Sequence, residues 1–202
     1  MKKTLVVIGL SLVLAQSIFA AAYYTGFEED SKTSYTVGDV ALSNTVWTLD
    51  SCVIGSLSAD KKLEDYSLRM AYNGSVGYTG MSYMIETLTG NYSALSFKYA
   101  VYGSSSYLND ANLGADISTD DGASWMELAV VTFDTDVQDL TDFSTTFGPY
   151  QYVRLRLRYW DATCTYSRQR INVDNVALIP EPTTAAAAFA GLAGLVALLR
   201  RK

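Results

Sequence analysis

The sequence predicts an all-β protein built as a two-sheet antiparallel β-sandwich, and three observations predict it. Residues that suit a pleated, half-buried surface are abundant: 15 Tyr, 7 Phe and 3 Trp, with Val, Ile and Thr throughout. Short apolar runs alternate with turns of Gly, Ser, Asn and Asp. Several of those runs keep a strict period of two, and no segment between residues 23 and 179 keeps a helical one.

The strands follow in order. The spacing predicts them at 22–27, 45–49, 66–71, 80–88, 94–102, 113–118, 126–132, 152–159 and 171–178. Three runs carry the clearest alternation. Leu95, Phe97, Tyr99 and Val101 share one face, against Ser96, Lys98 and Tyr102. Val153, Leu155, Leu157 and Tyr159 oppose Arg154, Arg156 and Arg158. Ile171 and Val173 oppose Asn172 and Asp174. One apolar face per strand is what two packed sheets require. No repeat of 20–50 residues is visible.

Both ends read as processing segments, so residues 23–179 form one domain flanked by a signal peptide (1–22) and a tail (180–202). Lys2 and Lys3 precede an apolar run from Leu5 to Ala15, and Ala20-Ala21-Ala22 offers a small-residue cleavage site. The run is short for a membrane span; an uncleaved anchor is the alternative. At the other end Pro180-Glu181-Pro182 precedes an Ala- and Gly-rich stretch, read as a transmembrane helix over 184–199. Arg200, Arg201 and Lys202 close the chain. The prolines break regular structure before the helix, and the basic cluster favours the cytoplasmic side.

These three parts, in this order, resemble the PEP-CTERM sorting signal of Gram-negative bacteria. The resemblance implies that an exosortase, a membrane cysteine protease, processes the tail. It also implies a destination at the cell surface or in an extracellular polysaccharide matrix, after anchoring in the inner membrane. Pro180, Glu181, Pro182, Arg200, Arg201 and Lys202 are then substrate for the sorting enzyme, not a catalytic site.

Export bears on the cysteines. Cys52 and Cys164 are the only two, and exported chains sit where disulfides persist. A bridge between them closes a long loop and contributes about 4–5 kcal/mol in the chain-entropy model. Two separate buried thiols are the alternative.

Charge and composition exclude several classes. Setting aside Glu181 leaves 20 acidic residues in the domain. Setting aside Lys2, Lys3, Arg200, Arg201 and Lys202 leaves 10 basic ones. Such an acidic surface argues against nucleic acid as a partner. The chain has no His. That removes the serine triad, imidazole-based dyads and the usual zinc sites.

Four segments in order give the domain a resemblance of its own: Gly26-Phe27-Glu28, Leu95-Ser96-Phe97-Lys98-Tyr99, Ser118 to Trp125, and Ile171-Asn172-Val173-Asp174-Asn175-Val176. It resembles exported bacterial jelly-roll modules of the carbohydrate-binding-like kind, C-terminal modules of some secreted nucleases and, more distantly, MAM-type domains. The resemblance implies neighbouring first and last strands, and an adhesive or accessory role.

Candidate sites follow from residue chemistry. Ser118, Asp120, Gly122 and Trp125 match the Asp-box pattern, read as a structural hairpin turn. Glu28 and Asp174, with Glu29 or Asp30 as helpers, are candidate ligands for a structural calcium, because the implied strand order brings hard oxygen donors together. Asp174 bonding only turn amides is the alternative. Arg154, Arg156 and Arg158 form a cationic stripe that either grips an acidic ligand or pairs with neighbouring carboxylates. Tyr102, Trp160 and Tyr166 are the candidate sugar-stacking aromatics.

No enzyme motif is present. A Glu-x-Asp-x-x-Glu strand is absent, and Tyr166, Arg168, Gln169 and Arg170 supply lyase-type residues without the lyase pattern. The expectation is a non-catalytic surface protein, adhesive or associated with extracellular polysaccharide. A dedicated carbohydrate-binding protein is the alternative; a polysaccharide hydrolase or lyase is the alternative from another class.

Overall fold

A computed structural model describes residues 22–72, 79–103, 111–133, 137–161 and 169–181. Among them every regular element is a strand: β1 (Tyr23–Thr25), β2 (Gly38–Leu42), β3 (Thr45–Asp50), β4 (Cys52–Gly55), β5 (Ser67–Tyr72), β6 (Gly80–Met84), β7 (Leu88–Val101), β8 (Ala111–Ser118), β9 (Met126–Phe133), β10 (Thr141–Asp161) and β11 (Gln169–Pro180). All pairings are antiparallel.

The long strand β10 belongs to both sheets. Its first part, Thr141 to Val153, pairs with β7. Its second part, Arg154 to Asp161, runs beside β8, with β6 on its other side. Sheet A therefore reads β4-β5-β11-β7-β10, with β1 also on β11. Sheet B reads β2-β3-β6-β10-β8-β9. The first and last strands are neighbours, Tyr24 opposite Ala177.

Alternation decides the core. Leu155, Leu157 and Tyr159 of β10, Leu113, Ala115 and Ile117 of β8, and Trp47 and Leu49 of β3 point inward and are buried. They meet Leu68 and Met70 of β5, Ile171, Val173, Val176 and Leu178 of β11, and Leu95, Phe97 and Val101 of β7 in one cluster. A tie across the sheets is polar at its tip. Trp47 Nε1–H donates to the Tyr23 hydroxyl at 2.8 Å, with the rings stacked at 6.4 Å. Each ring buries its apolar body and keeps its polar atom bonded.

Among the described residues eleven strands are present where nine were expected, and the misses have physical reasons. β2 is a short strand whose alternate residues face solvent. β4 has only four residues. The first part of β10 lies at an edge of sheet A with many residues exposed, and its apolar face is thin: Phe143 and Phe147 pack against the core among Ser and Thr. Its Gly148-Pro149 pair falls within a register shift between Thr146 and Tyr150, where a proline is tolerated because it need not donate to a ladder.

Sheet A is covered on its outer side as well. Asn172 and Asp174, on the polar side of β11, are 0% and 1% exposed. The segment 56–66 lies over them. Asp60 at its centre accepts two bonds from Arg69, at 2.7 and 2.8 Å, and one from the Leu57 amide. Asn172 donates to Asp60 and Ser67, and accepts from the Lys61 amide. The buried pair is thus fully bonded, the condition under which such a pair is tolerated. Gly55 leaves room for it, since a Cβ there would lie 2.6 Å from the Asp60 carboxylate.

Candidate functional site

The outer face of sheet B carries the densest set of chemically able side chains. On β10, Arg154, Arg156, Arg158 and Trp160 share that face, because Leu155, Leu157 and Tyr159 take the inner one. Register then supplies the neighbours. Arg156 lies between Tyr83 of β6 and Asp116 of β8, and Asp116 is opposite Glu127 of β9. Arg158 lies between Met81 and Gly114.

Asp116 is the node of this face. Its side chain is 1% exposed. Oδ2 accepts Arg156 Nε–H at 2.7 Å and Arg158 Nε–H at 2.5 Å, while Oδ1 accepts Arg158 Nη2–H at 2.7 Å. Glu127 takes a further Arg158 Nη2–H bond at 3.0 Å. The Asp116 bonds raise the Arg158 pKa further, with Glu127 adding to the effect. Arg154 donates to Asp121 at 3.1 Å and to the Thr87 hydroxyl at 2.8 Å. Thr87 in turn donates to Asp121. These bonds hold the Asp121 carboxyl below its ordinary pKa, with Thr87 the larger cause. The stripe is therefore paired with carboxylates along its length.

Two indoles flank the node. The Arg156 guanidinium carbon lies 4.5 Å from the Trp125 ring centroid, and that of Arg158 lies 5.0 Å from Trp160. Trp160 rests on Gly114, where a Cβ would come within 2.9 Å of the ring. A glycine at this position lets the indole lie against the sheet. A depression of about 230 Å³ opens here, lined by Met81, Tyr83, Asp121, Trp125, Arg154 and Arg156.

Trp125 reaches this face through the β8–β9 turn. Ser118 donates its hydroxyl to Asp120 at 2.7 Å and accepts the Gly122 amide at 2.8 Å. Asp120 accepts the Ser124 amide and hydroxyl at 2.9 and 2.6 Å. Those bonds, the Ser124 hydroxyl first, pull the Asp120 pKa down to about 2. Asp121 and Gly122 both take positive φ, 60° and 86°, the geometry for which an Asp-Gly pair is favoured. The turn thus delivers Asp121 and Trp125 to the arginines.

The other aromatic candidates lie elsewhere. Tyr102 is half-buried and held between Arg69 and Arg170, at 4.9 and 5.2 Å from its ring centroid. Its faces serve the fold at the far end of β7. Tyr166 lies outside the described residues, as do Cys164, Pro182, Arg200, Arg201 and Lys202. Cys52 is a free thiol, fully buried, donating to the Asp50 carbonyl at 3.1 Å. Pro180 ends β11 opposite Tyr92, and the Glu181 amide donates to the Asn91 carbonyl at 2.6 Å. The expected signal peptide and tail helix also lie outside the described residues, among which no helix is long and apolar enough to cross a membrane.

Glu28 and Asp174 come within electrostatic reach of one another across the β1–β11 pairing. Burial is the main cause of a raised Asp174 pKa, and the charges of Glu28 and Glu64 add to it. Their oxygens are engaged by backbone amides. Glu28 accepts the Tyr66 amide at 2.9 Å, and Asp174 accepts those of Leu63 and Asn175, both at 2.8 Å. Glu29 accepts the Thr25 hydroxyl and Asp30 the Ala41 amide. Among the described residues no group of three or more His, Cys, Asp or Glu is placed to hold a metal. A cation at Glu28 and Asp174 needs backbone oxygens or water to complete its shell.

A second depression, of about 240 Å³, lies on sheet A between Tyr24, Lys98, Asp142 and Asn175. It offers one exposed ring, and its Lys98–Asp142 pair is solvent-facing.

Sequence reasoning placed Trp160 among the binding aromatics but read Trp125 only as a turn residue, and passed over Tyr83 and Asp116. The Arg-x-Arg-x-Arg-x-Trp period of β10 was a usable signal for Trp160. Asp116 and Tyr83 become visible only once the register is known.

No family model matches the chain, and no curated protein matches it. Solved structures do. The K1 cleaved adhesin domain of Lys-gingipain from Porphyromonas gingivalis W83 is similar at a TM-score of 0.52 and 13% identity, over 81% of this chain and 100% of that one. The K3 cleaved adhesin domain of the same protein gives 0.52 and 13%, over 80% and 100%. TmCBM61, solved with β-1,4-galactotriose, gives 0.44 and 7%, over 83% and 94%. At these identities the likeness is one of fold: the two adhesin domains share the sandwich, and the third score is too low to add to the argument.

Proposed function

We propose that this chain is an exported, non-catalytic glycan-binding protein, and that the outer face of sheet B is its binding surface. The carrying observation is the pair of half-exposed indoles, Trp125 and Trp160, set beside guanidiniums on a rigid sheet. Aromatic faces stack on the apolar faces of sugar rings, and fixed Arg and carboxylate groups bond hydroxyls. Among the described residues no paired-carboxylate arrangement suggests bond cleavage. Asp116 is buried, with both oxygens bonded to Arg156 and Arg158, which suits a scaffold that positions those side chains.

Export and sorting form the second part of the reading. The PEP-CTERM-like tail supports processing by an exosortase and a place at the cell surface or in the polysaccharide matrix. The adhesin domains named above support it only in that they use this fold. Calcium at Glu28 and Asp174 is proposed as a stabiliser of the strap over sheet A, with no part in sugar binding.

A glycan array tests the binding reading. Saturable binding to at least one glycan, lost in a Trp125→Ala/Trp160→Ala double variant of unchanged melting temperature, is expected. Absence of binding to every immobilised glycan would remove it. For sorting, deletion of residues 180–182 in an exosortase-bearing host is expected to leave the protein in the inner membrane.

A further inference from the structure

Resting on that glycan-binding reading, we infer that the outer face of sheet B takes a neutral polysaccharide chain, laid along β10, and rejects uronic-acid and sulfated chains. A stripe of three arginines invites the opposite conclusion, so the charges decide. The arginines meet Asp116, Asp121 and Glu127 at bonding distance. Period two adds Asp50 on β3, opposite Met81, and Asp39 on β2, opposite Thr48, to the same face. Among the described residues of this face, three positive charges stand against five negative ones.

Competition at Asp116 argues the same way. An anionic sugar would have to draw Arg156 or Arg158 away from a carboxylate that is 1% exposed. That would strand a buried charge, which costs more than a surface ion pair returns. Hydroxyls make no such demand. They bond to guanidinium N–H groups and carboxylate lone pairs still open, without breaking the pairs.

The platforms set the length of chain engaged. Trp125 touches the Arg154–Arg156 end of the stripe, because Gly122 lies against both its ring and Arg154. Trp160 covers Gly114 at the Arg158 end. Arg156 and Arg158, which lie over the two rings, are about 7 Å apart along a strand, more than the length of one sugar residue. Each indole therefore serves a different residue of one chain, and a monosaccharide engages only one.

Calorimetric titration of the full chain tests this. Cellohexaose, xylohexaose and mannohexaose represent neutral chains, and hexagalacturonate represents acidic ones. The expected result is binding of at least one neutral hexaose, at least tenfold tighter than hexagalacturonate and nearly independent of salt. Affinity should rise at least tenfold from the disaccharide to the tetrasaccharide of that series. Trp125→Ala and Trp160→Ala should each lose at least tenfold, with Trp160→Phe retaining most of the binding. Tighter, steeply salt-dependent binding of hexagalacturonate would overturn the inference and leave the glycan-binding reading standing. Binding to none of these probes while the array is positive for a charged glycan would also overturn it. Binding to nothing in either assay would end both.

Discussion

Asp116 clasps Arg158 with both carboxylate oxygens, Oδ2 to Nε at 2.5 Å and Oδ1 to Nη2 at 2.7 Å. The same carboxylate holds Arg156. One nearly buried acid thus fixes the two guanidiniums that lie beside the two indoles of the face.

Replacing it separates its roles. Asp116→Asn leaves Arg156 without its counter-charge and Arg158 with Glu127 alone. Those side chains are 22% and 27% exposed, so water recovers part of the loss; about 2 kcal/mol is expected in urea unfolding. The same change removes one negative charge from the face, frees Arg156 and loosens Arg158. Hexagalacturonate, rejected by the native chain, is expected to gain at least fivefold in affinity for the variant.

The strap over sheet A rests on a pair with less access to water. Asp60 and Arg69 side chains are 0% and 9% exposed. Asp60→Ala strands Arg69, an Asn172 donor and the Leu57 amide together. A loss of about 3–5 kcal/mol is expected by urea unfolding. Glycan binding on the opposite sheet should keep its native affinity wherever the variant is folded.

How far the sequence announces all this depends on what each residue answers to. Val153 to Trp160 show their two faces in the bare alternation, because one side packs and the other does not. Tyr23 and the run from Ile171 to Val176 mark the first and last strands, and the resemblance implies that they adjoin. The first part of β10 is hidden, since its core-facing Phe143 and Phe147 stand among exposed Ser and Thr and run into Gly148-Pro149. Asn172 and Asp174 look like outward residues by period; the strap that buries them is a tertiary event. Tyr102 looks like a free platform until Arg69 and Arg170 close on it. Of the face itself, Trp160 and the arginines are legible. Asp116, Tyr83 and the second use of Trp125 depend on register and on where a turn points.

pH separates two aspartates. Asp120 has a folded pKa drawn down to about 2 by Ser124 and Ser118. Its contribution is present above the unfolded value and is lost as pH falls through about 2. The Ser124 amide resonance is expected to stay put from pH 7 to about 4 and then titrate near the lower value. Asp174 runs the other way. Burial raises its pKa, so its ionisation opposes folding as pH rises through that raised value. Carboxyl resonances in a carbon-detected titration are expected to place Asp174 above, and Asp120 below, the ordinary aspartate range.

Calcium addresses Asp174 and Glu28 in the same terms. A cation relieves like charges held near one another. Adding calcium to chelator-treated protein is expected to raise Tm by several degrees, and a Glu28→Gln variant to lose that rise. An unchanged Tm would leave both carboxylates as acceptors for the amides of Leu63, Tyr66 and Asn175 alone.

The three tryptophans supply the most direct measurement. Trp47 is fully buried and bonded to Tyr23, while Trp125 and Trp160 stand on the outer face of sheet B. Their indole N–H resonances can be followed during titration with the best-bound glycan from the array. The account predicts that Trp125 and Trp160 shift together, saturably, with Trp47 unmoved as the internal control. Saturable binding that moves neither Trp125 nor Trp160 would place the site elsewhere and contradict the account.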